Sequence, residues 1–104
     1  MKPKLILIED DASTAAALEK VLRAEGYLVE TIARGDDGLA RALTEPCDVV
    51  ITDLKLPGLN GLELVKQLHA AKPRLPIILI TAHATTETAI EATKNGAYDY
   101  LAGT

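Results

Sequence analysis

Three short, uninterrupted apolar runs indicate the fold class of this chain. They cover residues 5–8, 49–51 and 77–80. A strand that is apolar at consecutive positions, rather than at alternate ones, is covered on both faces, as in a parallel sheet between helices. Two further runs, residues 27–32 and 98–101, are partly polar, which is typical of edge strands. We therefore predict five strands, three central and two at the edges.

Each stretch between two strands has apolar residues at helical spacing. Residues 13–24 and 36–43 follow this spacing, and residues 85–94 do so with a thinner apolar face that ends before Gly96. The third helix begins after the capping residue Asn60 and ends before Pro73. The positions expected to face the sheet are Ala15, Leu18, Val21, Leu22, Leu39, Ala42, Leu43, Leu62, Val65 and Leu68. With right-handed crossovers, this β-α alternation predicts a parallel α/β sandwich.

Composition excludes several classes of protein. A chain of 104 residues makes one domain. A net charge of −4 opposes binding to nucleic-acid phosphates, and the absence of Phe and Trp disfavours base-stacking surfaces. A lone cysteine, Cys47, forms no internal disulfide and has no zinc-site spacing. Without a long apolar run or a signal pattern, we expect a cytoplasmic domain.

Acidic and hydroxyl side chains stand where three of the predicted strands end. Glu9 and Asp10 follow the first strand, Asp53 follows the third, and Thr81 follows the fourth. Carboxyl ends of parallel strands share one edge, so these carboxylates converge if the first and third strands are neighbours. Such a cluster needs a cation, and an oxygen site open to water fits Mg²⁺. A simpler alternative is that the acidic residues cap the first helix and solvate a loop, and Asp11 could do only that.

Asp53 has two interpretations. An Asp after a buried strand often begins a turn, and the downstream Pro57–Gly58 pair is a turn signal. A carboxylate beside a divalent ion can instead act as a nucleophile toward phosphorus and form an acyl phosphate. The central position of the third strand favours the second interpretation.

Four motif regions resemble those of the response-regulator receiver domains of two-component signalling. They are residues 6–11, Asp53 with residues 56–61, residues 80–82 and residues 96–101. The last two regions are most similar to those of receivers from nitrogen-regulation-type transcriptional activators. The resemblance covers nearly the whole chain and implies a flavodoxin-like, doubly wound, five-stranded parallel sheet with strand order 2-1-3-4-5, as one domain spanning residues 1–104.

The resemblance also implies a role for individual residues. Asp53 would accept a phosphoryl group from a sensor histidine kinase and shift the face formed by the fourth helix and fifth strand. The domain would assist its own phosphorylation without turning over a metabolite. The Mg²⁺ ligands would be Glu9, Asp10, Asp53 and the backbone carbonyl of Lys55, and the switch residues would be Thr81 and Tyr100.

Two departures from the family pattern lie at the end of the sequence. The family's lysine after the fifth strand corresponds to Gly103, and the following proline corresponds to Thr104. The sequence also ends where a fifth helix would start. We therefore expect a receiver without that helix, whose first helix and neighbouring sheet face are partly uncovered, and that self-associates or exchanges segments through this face.

Three alternative functions would leave different signals in the sequence. A degenerate receiver could act through protein contacts alone, and the missing lysine favours it. An aspartate-nucleophile phosphatase would carry its nucleophile after the first strand and a second Asp two residues later, a spacing that Glu9-Asp10-Asp11 does not have. A flavin-binding domain of this topology would need a phosphate-binding loop after the first strand and aromatic residues around the ring.

Overall fold

The computed structural model describes residues 2–81 and 99–102. Its elements are β1 (Lys4–Ile8), α1 (Ala12–Ala24), β2 (Leu28–Ile32), α2 (Gly35–Thr44), β3 (Val49–Asp53), α3 (Gly61–Ala71), β4 (Ile77–Thr81) and β5 (Asp99–Ala102). All five predicted strands are confirmed, and their ends differ from the predicted ones by a residue or two. The first three helices are confirmed as well. The helix predicted over residues 85–94 lies outside the described residues.

The five strands form one parallel sheet in the order β2-β1-β3-β4-β5, as the resemblance implied. Ile8 is opposite Thr52 across β1 and β3, and Asp53 is opposite Ile80 across β3 and β4. The carboxyl ends of these three strands are therefore adjacent. This register brings together residues that are far apart in sequence.

Side-chain caps start the first and third helices where the sequence predicted them. The Asp11 carboxylate accepts hydrogen bonds from the Thr14 N–H at 2.9 Å and the Thr14 hydroxyl at 2.6 Å. These bonds lower the pKa of Asp11. Asn60 Oδ1 accepts from the Glu63 N–H at 2.9 Å, which confirms Asn60 as the capping residue of α3. Asp11 thus caps α1, which was the simpler of its two interpretations.

The larger hydrophobic cluster lies between the sheet and the two helices α2 and α3. Its fully buried members include Ile6, Val50, Leu64, Val65 and Leu68. The predicted stripe of α3 is therefore confirmed at positions 65 and 68, and Leu62 packs half-buried against the same cluster. The prediction missed Leu64, which is 0% exposed.

The predicted inner face of α2 is confirmed at two of its three positions. Leu39 and Ala42 are buried in the larger cluster. Leu43 was also expected at the core, but its side chain is 40% exposed. The helix therefore turns position 43 toward solvent when its neighbour Ala42 packs inward.

Among the described residues, one helix covers the opposite face of the sheet, whereas two cover the first face. Leu5, Leu7, Val29 and Ile51 form a smaller cluster there, and α1 packs its apolar side chains against it. The expectation that Val21 faces the sheet is wrong, because its side chain is 59% exposed. Consecutive residues of a helix point about 100° apart, so position 21 falls on the flank of α1 when position 22 turns inward.

Within residues 2–81 and 99–102, every helix is too short or too polar to cross a membrane.

Candidate functional site

Three carboxylates meet at the carboxyl edge of the sheet. Glu9 and Asp10 directly follow β1, and Asp53 is the last residue of β3. One carboxylate oxygen from each of the three lies within 4.8 Å of the other two. The pairing of β1 with β3 produces this proximity, as the sequence predicted. We call these three residues the acidic cluster.

Glu9 is the most buried member of the acidic cluster, with only 8% of its surface exposed. Burial, together with the nearby charges of Asp53 and Asp10, raises the pKa of Glu9 to about 7. A hydrogen bond from the Asp11 N–H to the Glu9 carboxylate, at 3.1 Å, acts in the opposite direction because it favours the charged form. Near neutral pH, burial and the two neighbouring carboxylates therefore destabilise the charged form of Glu9.

Asp53 is half-buried and is held by its own backbone neighbours. Its Oδ1 atom accepts a hydrogen bond from the Leu54 N–H at 2.7 Å. The preceding residue, Thr52, is 0% exposed, and its hydroxyl donates to the Asp53 carbonyl at 3.0 Å. The sequence pattern assigned Thr52 no role, and its only signal was a polar residue within an apolar strand. The Leu54 bond orients the Asp53 carboxylate, and the Thr52 bond is made to the backbone of Asp53 at the strand end.

The loop after β3, residues 54–60, leads from Asp53 to α3. The Gly61 N–H donates to the Leu54 carbonyl at 2.7 Å, which closes the base of the loop. Lys55 lies in this loop with its side chain exposed. Lys55 lies close to Asp53 in sequence, and the role of its backbone carbonyl as a Mg²⁺ ligand stays a prediction.

Thr81 and Tyr100 are described by their backbone alone. Thr81 is the last residue of β4 and pairs with Ala102 of β5. Tyr100 pairs with Leu79, two positions before the end of β4. Both residues lie in strands beyond β3, and their switch roles stay predictions. Residues 103 and 104, where the family's lysine and proline were expected, lie outside the described residues.

A cleft of about 350 Å³ adjoins the acidic cluster. Glu9 and Asp10 line it together with the small side chains of Ala12 and Ala16 from α1. Asp10 is exposed, so the cluster is open to solvent on this side. Small ions and molecules in solution can therefore reach the carboxylates.

The donor set fits a small divalent cation. Three carboxylates offer the oxygen ligands that Mg²⁺ prefers, and an open side leaves positions for water or a phosphoryl oxygen. The raised pKa of Glu9 agrees with a site whose charge is balanced by a cation. In the part of the chain that the structure describes, the acidic cluster is the one group of at least three His, Cys, Asp or Glu side chains close enough together to share a metal ion.

Similar proteins include full-length transcriptional regulators. The chain is 37% identical over 95 residues to the DNA-binding transcriptional regulator NtrC of Salmonella typhimurium, a match that covers 91% of this chain and 20% of that protein. It is 35% identical over 100 residues to the C4-dicarboxylate transport transcriptional regulatory protein DctD of Rhizobium meliloti, covering 96% of this chain and 22% of that protein. The chain thus spans about a fifth of the length of these relatives.

Solved structures share the fold. A receiver domain protein from Methanospirillum hungatei superposes with a TM-score of 0.92 at 28% identity, covering 98% of this chain and 82% of that one. A response regulator from Burkholderia pseudomallei, with a phosphorylated aspartic acid, a calcium ion and citrate, has a TM-score of 0.88 at 32% identity, covering 96% and 59%. The receiver domain of the Pseudomonas aeruginosa sensor histidine kinase PA1611, with magnesium in its active-site cleft, has a TM-score of 0.88 at 30% identity, covering 98% and 85%.

The family assignment rests on nearly the whole chain. Residues 5–102 match the family described as the response regulator receiver domain. The strand order, the position of the acidic cluster and the identities to NtrC and DctD agree with this match. The chain belongs to the response regulator receiver domain family.

Proposed function

We propose that this domain is a phosphoacceptor of two-component signalling in which Asp53 receives the phosphoryl group. One observation carries the proposal: Glu9, Asp10 and Asp53 bring carboxylate oxygens within 4.8 Å of one another at the carboxyl edge of the sheet. Glu9, Asp10, Asp53 and the Lys55 carbonyl would hold Mg²⁺. When bound, the ion neutralises negative charge on the carboxylates and on the incoming phosphoryl group.

The reaction is a transfer between two nucleophiles. An oxygen of Asp53 attacks the phosphorus of a phosphohistidine on a sensor histidine kinase. The new P–O bond forms as the P–N bond breaks, and the imidazole leaves with the electron pair and takes up a proton from water. The product is an acyl phosphate on Asp53. The Leu54 N–H, at 2.7 Å from Oδ1, orients the carboxylate for this attack.

The proposed response to phosphorylation involves Thr81 and Tyr100. Asp53 pairs with Ile80, so Thr81 directly follows the position on β4 that borders the acceptor. We assign Thr81 to the phosphoryl oxygen and Tyr100 to a side-chain change that follows Thr81. This assignment gives the signal a path from Asp53 to β5.

The relatives suggest where the signal goes. NtrC and DctD are transcriptional regulators, and NtrC is described as DNA-binding. We infer that this receiver contributes to regulation of transcription and leaves DNA contacts to other domains, because its net charge of −4 opposes phosphate binding. The proposed reaction partner is a kinase charged from ATP, so we place the domain in the cytoplasm. It acts as a signalling module without metabolite turnover.

Incubation with acetyl phosphate tests the proposed function. In Mg²⁺ the intact protein should gain the mass of one phosphoryl group, since acetate leaves when Asp53 attacks phosphorus. Removing divalent ions with EDTA should reduce the adduct at least about 10-fold, because the carboxylates and the donor then repel each other. Absence of an adduct under both conditions would contradict the phosphoacceptor role and favour the alternative, a degenerate receiver that acts by protein contacts alone.

Self-association is a second proposal and rests on the less covered sheet face. Val21 of α1 is 59% exposed, and Ile78 and Ile80 are only half-buried against the smaller cluster. Among the described residues, α1 is the helix that packs on this side. A second copy of the chain would cover these apolar side chains, by surface pairing or by segment exchange.

Light scattering over a concentration series tests this second proposal. We expect a dimer at tens of micromolar, on the order of 10⁻⁵ M. Val21→Glu should shift the protein toward monomer, because a charge on the paired surface opposes its burial. Lys20→Glu, which changes an exposed residue of the same helix, should keep the dimer. A monomer at all concentrations for the unsubstituted protein would refute self-association.

A further inference from the structure

The loop between β3 and α3 rests on the first turn of α2. The Gly35 N–H donates to the Pro57 carbonyl at 2.9 Å. A Cβ atom at position 35 would overlap the Leu59 carbonyl oxygen, so the helix backbone and the loop backbone are in direct contact. The first turn of α2 therefore has no room for any side chain at this position.

A second glycine faces the same contact from the loop. Gly58 has a φ of +84°, in the left-handed region that favours glycine, and a Cβ there would overlap the Asp36 carboxylate. Arg34 holds Asp36 in place, with its Nε 3.1 Å from Oδ1. We define the loop–helix contact as the set formed by Gly35, Asp36, Pro57, Gly58 and Leu59.

The base of the same loop is attached to the phosphoacceptor. Leu54 donates its N–H to Asp53 Oδ1 at 2.7 Å and accepts from the Gly61 N–H at 2.7 Å. Lys55 lies between this base and the loop–helix contact. A displacement of the loop tip therefore passes through Lys55 and Leu54 before it reaches the Asp53 carboxylate.

We propose that Gly35 and Gly58 are positioning residues for the acceptor site, because the loop–helix contact holds the loop in the conformation that serves Mg²⁺ binding. This inference rests on the proposed function. Neither glycine belongs to the acidic cluster, and both act through the loop. If they served packing alone, substitutions would lower the stability of the fold and leave the Mg²⁺ affinity of the folded protein unchanged.

Gly35→Ala is the first variant to test. Its methyl group forces the Leu59 carbonyl away, so we expect the dissociation constant for Mg²⁺ to rise about 10-fold, as for residues that orient metal ligands. Phosphorylation by acetyl phosphate at subsaturating Mg²⁺ should slow by a similar factor. Both are measured well below the unfolding temperature, with Mg²⁺ affinity obtained from backbone amide NMR shifts of residues 53–61.

Gly26→Ala is the matched control. Gly26 lies between α1 and β2, at the opposite edge of the sheet from the acidic cluster, and its φ of +99° disfavours a side chain although nothing lies within 4 Å of a Cβ there. This variant should lower the unfolding temperature and keep the Mg²⁺ dissociation constant within about twofold of the unsubstituted protein. Equal losses of affinity in Gly35→Ala and Gly26→Ala would assign the effect to general destabilisation and overturn the proposal.

A pair of substitutions keeps the proposal testable if Gly35→Ala does not fold. Gly58→Ala should weaken Mg²⁺ binding, because its methyl group meets the Asp36 carboxylate. Adding Asp36→Ala removes that carboxylate, so it should bring the Mg²⁺ dissociation constant back to within about threefold of the unsubstituted protein. The added substitution does not relieve backbone strain at position 58, so an effect of that strain would remain in the double variant. A double variant as weak as Gly58→Ala would contradict transmission through the helix.

The unsubstituted protein separates this inference from the proposed function. If it binds no Mg²⁺ and forms no adduct, the proposed function fails, and the positioning role fails with it. If it does both and Gly35→Ala does so equally well, the proposed function stands and the positioning role is refuted.

Discussion

Replacing Asp53 by Asn should abolish the phosphoryl adduct formed with acetyl phosphate and Mg²⁺. The carboxamide is nearly the same size as the carboxylate, and its oxygen can still accept the Leu54 N–H bond now found at 2.7 Å. It cannot, however, supply the anionic oxygen that attacks phosphorus. We expect the adduct to fall at least about 100-fold, to the background of the mass measurement. The fold should be retained, as far-ultraviolet circular dichroism would check.

Asp37→Asn is the matched control for this loss. Asp37 is an exposed acidic residue in the first turn of α2 and does not belong to the acidic cluster. The substitution removes one negative charge, as Asp53→Asn does, and should leave the adduct unchanged. An adduct that survives in Asp53→Asn at its original level would place the acceptor at another residue.

Replacing Glu9 by Gln should have two opposite effects. It removes one carboxylate ligand, so the dissociation constant for Mg²⁺ should rise about 10- to 100-fold. It also removes a buried negative charge that destabilises the fold when no ion is bound, so the metal-free protein should become more stable above about pH 7. The Gln side-chain oxygen can still accept the Asp11 N–H bond, which limits structural disturbance.

The pH dependence of stability follows from the direction of the Glu9 shift. Burial raises the pKa of Glu9 from 4.5 to about 7 in the folded state. Between these values the folded protein binds more protons than the unfolded chain, so stability falls as pH rises from about 4.5 through about 7. The contribution is on the order of 3 kcal/mol, since one pKa unit corresponds to about 1.4 kcal/mol. Urea denaturation in EDTA at several pH values measures it.

Saturating Mg²⁺ should remove most of this pH-dependent loss, because the ion favours the ionised carboxylate. Glu19→Gln is the control: Glu19 lies at the same cleft but outside the acidic cluster, and it accepts a hydrogen bond from the Thr31 hydroxyl at 3.2 Å. It should keep both the pH dependence and the Mg²⁺ affinity. A Glu9→Gln protein with the original pH profile would contradict the assignment of the effect to Glu9.

Much of the fold could be predicted because its signals are local. The apolar runs at residues 5–8, 49–51 and 77–80 are strands, and Asn60 caps α3 through the Glu63 N–H. The burial of individual helix positions was harder to predict. Val21 and Leu43 have the right spacing but are exposed, because burial depends on which flank of a helix the sheet and its neighbours cover.

The acidic cluster could be predicted in its members but not in its electrostatics. Glu9, Asp10 and Asp53 each stand at the end of a strand, and parallel pairing brings such positions to one edge. The raised pKa of Glu9 depends on how deeply its side chain is buried, which the sequence does not state. The hydrogen bond from the Thr52 hydroxyl to the Asp53 carbonyl could not be predicted either, because it forms only in the folded structure.

The sequence by itself determined the class of fold and the acidic residues at the strand ends, because apolar patterning and strand-end positions are properties of neighbouring residues. The order of the strands followed from the family resemblance. Tertiary structure alone decided the distances within the acidic cluster, the pKa of Glu9 and the seating of the 54–60 loop on Gly35. These depend on residues that are distant in sequence and become neighbours only when the sheet and its helices pack together.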